Sequence, residues 1–536
     1  MKKFVAACLT AGMLATALVG CGTQNQPTTT GGTFTKTTED GYPVQNDGQE
    51  VSYWVSLSGH VSAHSQSLND TKFAQGLKEN TGINVKFQHP TIGQETESFN
   101  LMIASRDLPD IIEYGWNKYS GGPEKAITEK TIISLNDVVD QVSPNIKKLY
   151  EENADYRKAN TTETGNIYVY PFIRGDQTLC TYMGAMVRKD FLDKAGLQPP
   201  ETIEEWETML RKFKEMGIKS PLTMRMDNTK LSQMNQFIGA YGAAADFYVE
   251  DGKVKYGPAE DAFVQFVELM TKWYSEGLLD SNFTDTDSKR LTSVVANGEA
   301  GAAFGSAGGD FGSWMPAAKK NDPNAEFVPV PYPVLNKGDR PKFGNADLPT
   351  GGYGAAITAT SQNVELAARL LDYGYGEEGH MYYNFGIEGE SYNMVDGVPT
   401  YTDIILDTEK NGGLSVGQAM GKYIRACYNG PFVQDKNYIS QFYTDPVQTE
   451  AINVWSDNDQ LKYAMPNAAM TEDENREYTK IITDIDTYRE EIMYKTITGT
   501  MSLDDFKANY LNEMKERGIE RAIQLKQQAY DRYNKQ

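Results

Sequence analysis

Residues that can act as nucleophiles or proton carriers are scarce in this chain, which has four histidines and four cysteines among 536 residues. The stretch Gly-Leu-Ser-Val-Gly at 413–417 matches the nucleophile elbow of α/β hydrolases, which must follow a strand. Here residues 407–412 are polar and predict a loop. The histidines (His60, His64, His89 and His380) all precede Ser415, whereas the usual hydrolase order places one after the serine. We therefore predict no catalytic nucleophile.

Cofactor and metal motifs fail for similar reasons. Gly-Tyr-Gly-Glu-Glu-Gly at 374–379 matches a dinucleotide-binding pattern, but it follows a predicted helix instead of a strand and so indicates a helix end. His60 and His64 are too few ligands for zinc, and no EF-hand loop is present. No cofactor and no metal are predicted. A glycosidase carboxylate pair stays open, because 73 acidic residues supply many pairs at a workable separation.

The first twenty residues have the pattern of a secretory signal. Lys2 and Lys3 precede an apolar run at 4–20 that is too short for a transmembrane helix. The run ends in Leu-Val-Gly-Cys, a lipobox, and this predicts that the thiol of Cys21 carries lipid on the extracytoplasmic face of the cell membrane. The alternative is an ordinary signal peptide followed by a chance cysteine. Residues 21–50, rich in Thr, Gly and Gln, predict a flexible tether.

The charge of the chain excludes one class of partner. The net charge is −22, and removal of the signal with Lys2 and Lys3 makes it −24. A surface of that sign repels phosphate backbones, so nucleic acid is not expected as a partner.

Besides Cys21, the processed chain keeps Cys180 and Cys427. One disulfide between them and two free thiols are equally compatible with the sequence.

Apolar patterns of period two alternate with helical ones along the chain. Strands are predicted at 51–57, 83–87, 109–114, 166–171, 178–187, 300–306 and 353–358. Helices are predicted at 68–80, 97–106, 203–213, 261–274, 362–373 and 503–533. This alternation predicts an α/β fold with mainly parallel sheets. Thr202 and Glu205 form a capping box, and the helix it opens places Trp206 on its apolar face, which predicts a core tryptophan.

Ligands gather at the carboxyl ends of the strands in open α/β sheets. His60 follows the first predicted strand, and Glu113 and Trp116 lie at the end of the third, so all three are candidate cleft residues. Arg174 and Asp176 lie in a polar, glycine-containing segment that has the composition of an interdomain crossing. A second crossing is predicted near residues 348–352.

Several stretches, taken in order, resemble the large branch of extracellular solute-binding protein family 1, which includes LplA-like lipoproteins and alginate-oligosaccharide-binding proteins. They are residues 104–112, 187–197 with the following Pro-Glu-Thr-Ile-Glu-Glu-Trp run, 367–373, 385–392 and 528–533. The resemblance covers nearly the whole processed chain. It implies a type II periplasmic-binding-protein-like fold, in which two α/β lobes enclose a cleft and are joined by a hinge. We predict the first lobe at 51–175 and 351–430, and the second at 176–350 and 431–536.

The resemblance also implies a function. We expect a monomeric, non-enzymatic protein that holds a carbohydrate, in particular an oligosaccharide, between its lobes and delivers it to the permease subunits of an ABC importer.

Some relatives carry a calcium loop after the helix that here ends near Met216, but residues 217–222 lack its composition. Calcium is therefore not predicted there, and a site elsewhere stays open. Two alternatives remain, a surface-anchored polysaccharide hydrolase or lyase and a sugar-sensing co-receptor; neighbouring permease genes would favour uptake.

Sugar rings have apolar C–H faces and hydroxyl edges, so their sites pair aromatic platforms with polar side chains. Trp314 follows a predicted strand and a glycine-rich loop at 308–312, and we predict that it is the aromatic floor, with Asp310 as a hydroxyl acceptor. The alternative is that Trp314 packs under the loop as core. The same placement argument adds further candidates, namely Trp116, Tyr353, Glu388, Glu390, Tyr392 and Trp455.

Overall fold

The computed structural model describes residues 41–44, 48–225, 231–443 and 445–535. Cys21, the signal and most of the predicted tether lie outside these residues. Within the described ranges, no helix is both long and apolar enough to cross a membrane. The strands are β1 Glu50–Trp54, β2 Asn84–Gln88, β3 Ile111–Gly115, β4 Tyr170–Pro171, β5 Ile173–Arg174, β6 Met183–Arg188, β7 Ser220–Thr223, β8 Phe247–Glu250, β9 Lys253–Tyr256, β10 Ala300–Ser306, β11 Phe327–Val330, β12 Tyr353–Ile357, β13 Tyr392–Val395, β14 Val398–Tyr401 and β15 Val433–Gln434.

Helices surround these strands. In the first half of the chain they are α1 Gly59–Ser62, α2 Lys72–Thr81, α3 Glu95–Ser105, α4 Gly122–Thr128, α5 Asn136–Val142, α6 Pro144–Glu152, α7 Ala154–Ala159, α8 Lys189–Ala195, α9 Ile203–Glu215, α10 Leu231–Ile238 and α11 Asp261–Ser275. In the second half they are α12 Ser288–Ala296, α13 Gly312–Asn321, α14 Val364–Tyr373, α15 Glu377–Phe385, α16 Asp403–Leu406, α17 Val416–Met420, α18 Lys436–Phe442, α19 Pro446–Ser456, α20 Gln460–Tyr463, α21 Glu472–Ile497, α22 Leu503–Glu516 and α23 Ile519–Tyr533.

Two main sheets organise the molecule, and both are mixed. The first has the order β2-β1-β3-β12-β4, with β1 parallel to β2 and β3, and β12 antiparallel to β3 and β4. The second has the order β11-β6-β10-β7, in which only the β10–β7 pair is parallel. The α/β architecture agrees with the sequence, and most strands of each sheet run in one direction, since only β12 opposes the rest of the first sheet and only β6 opposes the rest of the second. In each sheet the opposed strand is the one by which the chain arrives from the other sheet, β6 after β4 and β12 after β11.

Each main sheet has its own core. One large core gathers buried side chains from Val51 to Phe172 and from Ala355 to Phe432. The other gathers side chains from Met183 to Phe343 and from Tyr443 to Ala522. We call the two bodies lobe one and lobe two. A smaller cluster, built mainly from residues 385–438, packs beside them. The exact lobe bounds given above stay a prediction.

Local signals in the sequence account for several elements of lobe two. The capping box of α9 is formed, since Thr202 accepts from the Glu205 N–H and the Glu205 carboxylate accepts from the Thr202 N–H. Trp206 is fully buried in the core, as predicted. The predicted helix at 503–533 is in fact two helices, because Gly518 adopts a left-handed backbone with φ of 93° between α22 and α23.

Candidate functional site

In each main sheet, the strand ends on one side face the segments by which the chain passes between the lobes. We call this row of strand ends the edge of the sheet. Because β12 is antiparallel to β3 and β4, its first residue lies beside the carboxyl ends of β1 to β4. In the second sheet, the start of β6 lies beside the carboxyl ends of β7, β10 and β11. The passages from β4 to β6 and from β11 to β12 connect these two edges. We call this region the junction, formed by residues 56–60, 115–118, 172–182, 306–310, 345–353 and 433–443.

Three extended segments run side by side through the junction. β5 pairs in parallel with β15, and the backbone N–H of Arg174 donates to the carbonyl of Pro349 at 2.8 Å. Nη2 of Arg174 also lies 2.7 Å from Oδ2 of Asp347, whose own N–H donates to the carbonyl of Cys180 at 2.9 Å. The β5–β15 ladder is only two residues long, and such short contacts suit a hinge, where a few residues absorb a change of backbone angle.

The remaining polar groups of the crossing stabilise its local shape. Oδ1 of Asp176 caps the short helical turn Gln177–Cys180 by accepting from the N–H and hydroxyl of Thr178, at 2.9 Å and 2.7 Å.

Cys180 and Cys427 are free thiols, so of the two alternatives left by the sequence, a disulfide and two free thiols, the structure has the free thiols. Burial raises the pKa of Cys180 to about 11 and that of Cys427 to about 12, so both thiols are protonated at neutral pH.

Phe442, at the end of α18, touches both sides of the junction. Its ring stands edge-on to His60 of lobe one, with ring centroids 6.4 Å apart. On the lobe-two side, Gly308 approaches so closely that an added Cβ would lie 2.6 Å from a carbon of the same ring. Phe442 is only partly buried, and it packs against both the lobe-two core and the smaller cluster. Its surroundings therefore depend on how the two lobes are placed relative to each other.

A buried ion pair lies behind the lobe-one edge. The carboxylate of Glu113 accepts two hydrogen bonds from the guanidinium of Arg425, at 3.0 Å and 2.8 Å. It also accepts from the hydroxyls of Tyr53 and Tyr353, at 2.6 Å and 3.0 Å. The exposed fractions of the Glu113 and Arg425 side chains are 0% and 2%. Burial, followed by the adjacent carboxylate, raises the pKa of both tyrosines well above the usual value, so they stay protonated donors.

The structure contradicts the prediction that Trp314 is the aromatic floor of a sugar site, because its ring is buried. Trp314 is 1% exposed, its Nε1 donates to Thr292 at 3.0 Å, and its ring packs edge-on against Phe311. Trp116 and Trp455 are fully buried as well. The alternative reading of Trp314 as core is thus the one that the structure supports. The loop at 308–312 closes into a π-helical turn that directs the chain back into the lobe instead of opening a platform.

The carboxylates and tyrosines on the candidate list lie in three different places. Asp310 caps its own turn by accepting from the N–H and hydroxyl of Ser306, at 2.7 Å and 2.9 Å. Glu113 and Tyr353 belong to the buried network. Glu388, Glu390 and Tyr392 lie at or beside a surface groove of about 590 Å³, lined by Gly76, Glu79, Asn80, Glu377, Glu378, Met381, Tyr382, Gly386, Ile387, Glu388 and Tyr392.

The junction therefore contains six of the candidates, of which Trp116 is fully buried. The others are His60, Arg174, Asp176, Asp310 and Tyr353. The structure adds Phe442, Asp347 and Tyr182, which the sequence analysis missed. Asp347 lies just before the second predicted crossing, so the polarity of that crossing was an available signal. Phe442 shares an apolar face with Tyr438 and Ile439 in a seven-residue helix, a pattern that predicts packing and does not distinguish a binding residue from a core one. Among the described residues, no three His, Cys, Asp or Glu side chains converge in a way that would hold a metal ion.

The model of the bacterial extracellular solute-binding protein family matches residues 67–381, more than half of the chain. The chain belongs to this family. Among curated relatives of this solute-binding protein, the fructooligosaccharide ABC transporter substrate-binding protein FusA of Streptococcus pneumoniae is 26% identical over 344 residues. The lipoprotein LipO of Bacillus subtilis is 25% identical over 346 residues. These matches cover 60% and 61% of this chain, and 61% and 65% of the two relatives, less than two thirds of their length.

Solved structures show the same fold over a larger share of the solute-binding protein. The alginate-binding protein AlgQ2 without calcium superposes with a TM-score of 0.72 at 24% identity, covering 92% of this chain and all of that one. FusA in complex with kestose superposes with a TM-score of 0.72 at 20% identity, covering 91% of this chain and all of that one. At these identities the likeness establishes the two-lobed fold and not the ligand.

The buried ion pair generates a testable prediction. Glu113→Gln leaves the Arg425 charge without its partner, so it should lower the unfolding free energy by about 3–5 kcal/mol. The measurement is urea unfolding followed by tryptophan fluorescence. Asp193→Asn, which removes a carboxylate from an exposed pair with Lys189, is the matched control and should change the unfolding free energy little. Adding Arg425→Met to Glu113→Gln should recover part of the loss. Equal stability of the Glu113→Gln and Asp193→Asn variants would contradict a structural role for the pair.

Proposed function

We propose that this solute-binding protein binds an oligosaccharide at the junction and delivers it to the permease subunits of an ABC importer. Phe442 carries the proposal, because it is a half-buried aromatic ring in contact with both lobes at the edges where α/β sheets bind ligands. An aromatic face suits the C–H face of a sugar ring. His60, in contact with that ring, can bond to the hydroxyls, and Asp347 and Tyr182 offer further polar groups elsewhere at the junction.

The names of the relatives support a sugar as the ligand. FusA is named for fructooligosaccharides, and MelE of Bacillus subtilis for melibiose, raffinose and stachyose. Both are named as binding proteins, and we propose that this chain likewise binds its ligand without altering it. The failure of the nucleophile and cofactor motifs agrees with that view. We further propose that the protein acts as a monomer.

Hinge closure is the proposed mechanism of delivery. A ligand held by both lobes favours the arrangement in which both contact it, so binding shifts the population toward the closed form. The crossings at β5, residues 347–349 and β15 supply the hinge, with the lobe bounds proposed above. The permease would then recognise the closed form.

The stacking role of Phe442 can be tested with two variants of similar volume. Phe442→Leu keeps an apolar side chain but loses the flat ring, and we expect roughly a tenfold loss of affinity, equivalent to about 1.4 kcal/mol. Phe442→Tyr keeps the ring and should retain most of the affinity. Titration calorimetry with kestose, raffinose, stachyose and an alginate trisaccharide measures both, after thermal melting has shown that the variants fold. Unchanged affinity in Phe442→Leu would remove Phe442 from the site, and cleavage of a bound sugar would replace the binding function by a hydrolytic one.

Membrane attachment through Cys21 is a separate proposal, supported by the Leu-Val-Gly-Cys motif and by the relative that is named a lipoprotein. Cys21→Ala should release the protein into the medium or leave it as an uncleaved precursor, because no thiol remains to accept the lipid. Metabolic labelling with a fatty acid followed by membrane fractionation measures both effects, and Cys180→Ala is the control that should keep the label. Undiminished labelling of the Cys21→Ala variant would refute the anchor.

A further inference from the structure

We propose that the junction selects an uncharged oligosaccharide, because the guanidinium groups that reach it are already engaged within the protein. This inference rests on the proposed function and names the class of sugar. Recognition of a uronate, sulfate or sialic acid group calls for a cationic donor that is free to pair with it. In the described part of the chain, three arginines lie on or behind the two sheet edges, namely Arg174, Arg225 and Arg425.

Arg174 is the guanidinium nearest to the crossings, and it is held on several sides. Nη2 pairs with Asp347 at 2.7 Å, Nη1 lies 3.4 Å from the carbonyl oxygen of Leu348, and the group stacks over the ring of Phe172 at 5.4 Å. Its side chain is only 20% exposed, whereas that of Asp347 is 40% exposed. A sugar that approaches this pair therefore meets the carboxylate more readily than the guanidinium. A carboxylate favours a hydroxyl donor and repels an anion.

The other two arginines offer no alternative. Both terminal nitrogens of Arg425 are bonded to Glu113, and Nη2 also donates to the carbonyl of Asn429 at 2.6 Å. Displacing Glu113 would leave a buried charge without a partner, which is strongly unfavourable. Arg225, just after β7, is not free either.

Among the residues that the structure describes, the remaining charges at the junction do not favour an anion. Burial lowers the pKa of His60, so its imidazole is neutral at pH 7. Lys118 and Lys436 are exposed, and water and salt screen their charges. Asp176, Asp310 and Asp347 supply negative charge, and the chain as a whole carries −22. A neutral sugar, which offers hydroxyl donors to carboxylates, fits this distribution, whereas an acidic sugar meets repulsion.

The test compares trisaccharides of equal length on the full processed chain. Titration calorimetry at physiological salt uses kestose and raffinose as neutral probes and a mannuronate trisaccharide as the anionic probe. We expect a neutral sugar to bind at least a hundredfold more tightly than the uronate. Uronate binding that equals or exceeds the neutral binding would overturn this inference while leaving the proposed function intact. Binding of neither class would refute both.

A charge-removing variant tests the cause of the selectivity. Asp347→Asn frees the guanidinium of Arg174, so affinity for the mannuronate trisaccharide should rise about tenfold as one close repulsive charge is removed. Asp193→Asn removes the same charge far from any crossing segment and should leave the affinity for all probes unchanged. No gain of uronate affinity in Asp347→Asn would contradict the inference that this pair excludes anions.

Discussion

The bidentate contact between Glu113 and Arg425 joins parts of lobe one that are distant in sequence. Glu113 lies on β3, its tyrosine donors lie on the neighbouring strands β1 and β12, and Arg425 comes from the segment after α17. A carboxylate buried this deeply is tolerated only when its oxygens are fully paired. The four donors therefore fix how the central strands of the sheet end, and these ends form the lobe-one side of the junction. The pair is structural, since both side chains are inaccessible to a ligand.

The junction itself is built differently, from short contacts near solvent. The crossing strands β5 and β15 are two residues long, and the Arg174–Asp347 pair beside them is partly exposed. A rigid network next to a weakly held crossing is the arrangement that hinge closure needs, because motion then concentrates in a few backbone angles while the sheets stay intact. Phe442 lies between the rigid lobes and the weakly held crossing. Its contacts to His60 and Gly308 come from different lobes, so closure must alter at least one of them.

How much of this structure can be predicted from the sequence depends on how far apart in the chain the interacting residues lie. The capping box at Thr202, the buried face of Trp206 and the strand Ala300–Ser306 follow from neighbouring residues, and the structure confirms them. The mixed sheets do not follow, because β12 pairs with β3 across more than two hundred residues and local periodicity carries no strand direction. The ordered family-like stretches were nevertheless sufficient to indicate the two-lobed fold.

Two of the tryptophans predicted as site residues are core for different reasons. A glycine-rich loop after a strand suggests an open platform, but at Ser306 and Asp310 the side chains bond to each other and turn the chain inward, so Trp314 becomes core. Trp455 is buried over Gly184, where an added Cβ would lie 2.3 Å from its ring, a close fit that only the assembled lobe reveals. Phe442 lies on an apolar helical face that predicts only packing, and the partner of Arg425 is more than three hundred residues away.

The central claim is that a sugar bound at the junction draws the two lobes together. Small-angle X-ray scattering of the processed protein, with and without a saturating oligosaccharide identified by calorimetry, measures this most directly. The account predicts a smaller radius of gyration in the bound state. A sugar that binds tightly and leaves the scattering profile unchanged would contradict hinge closure at the junction.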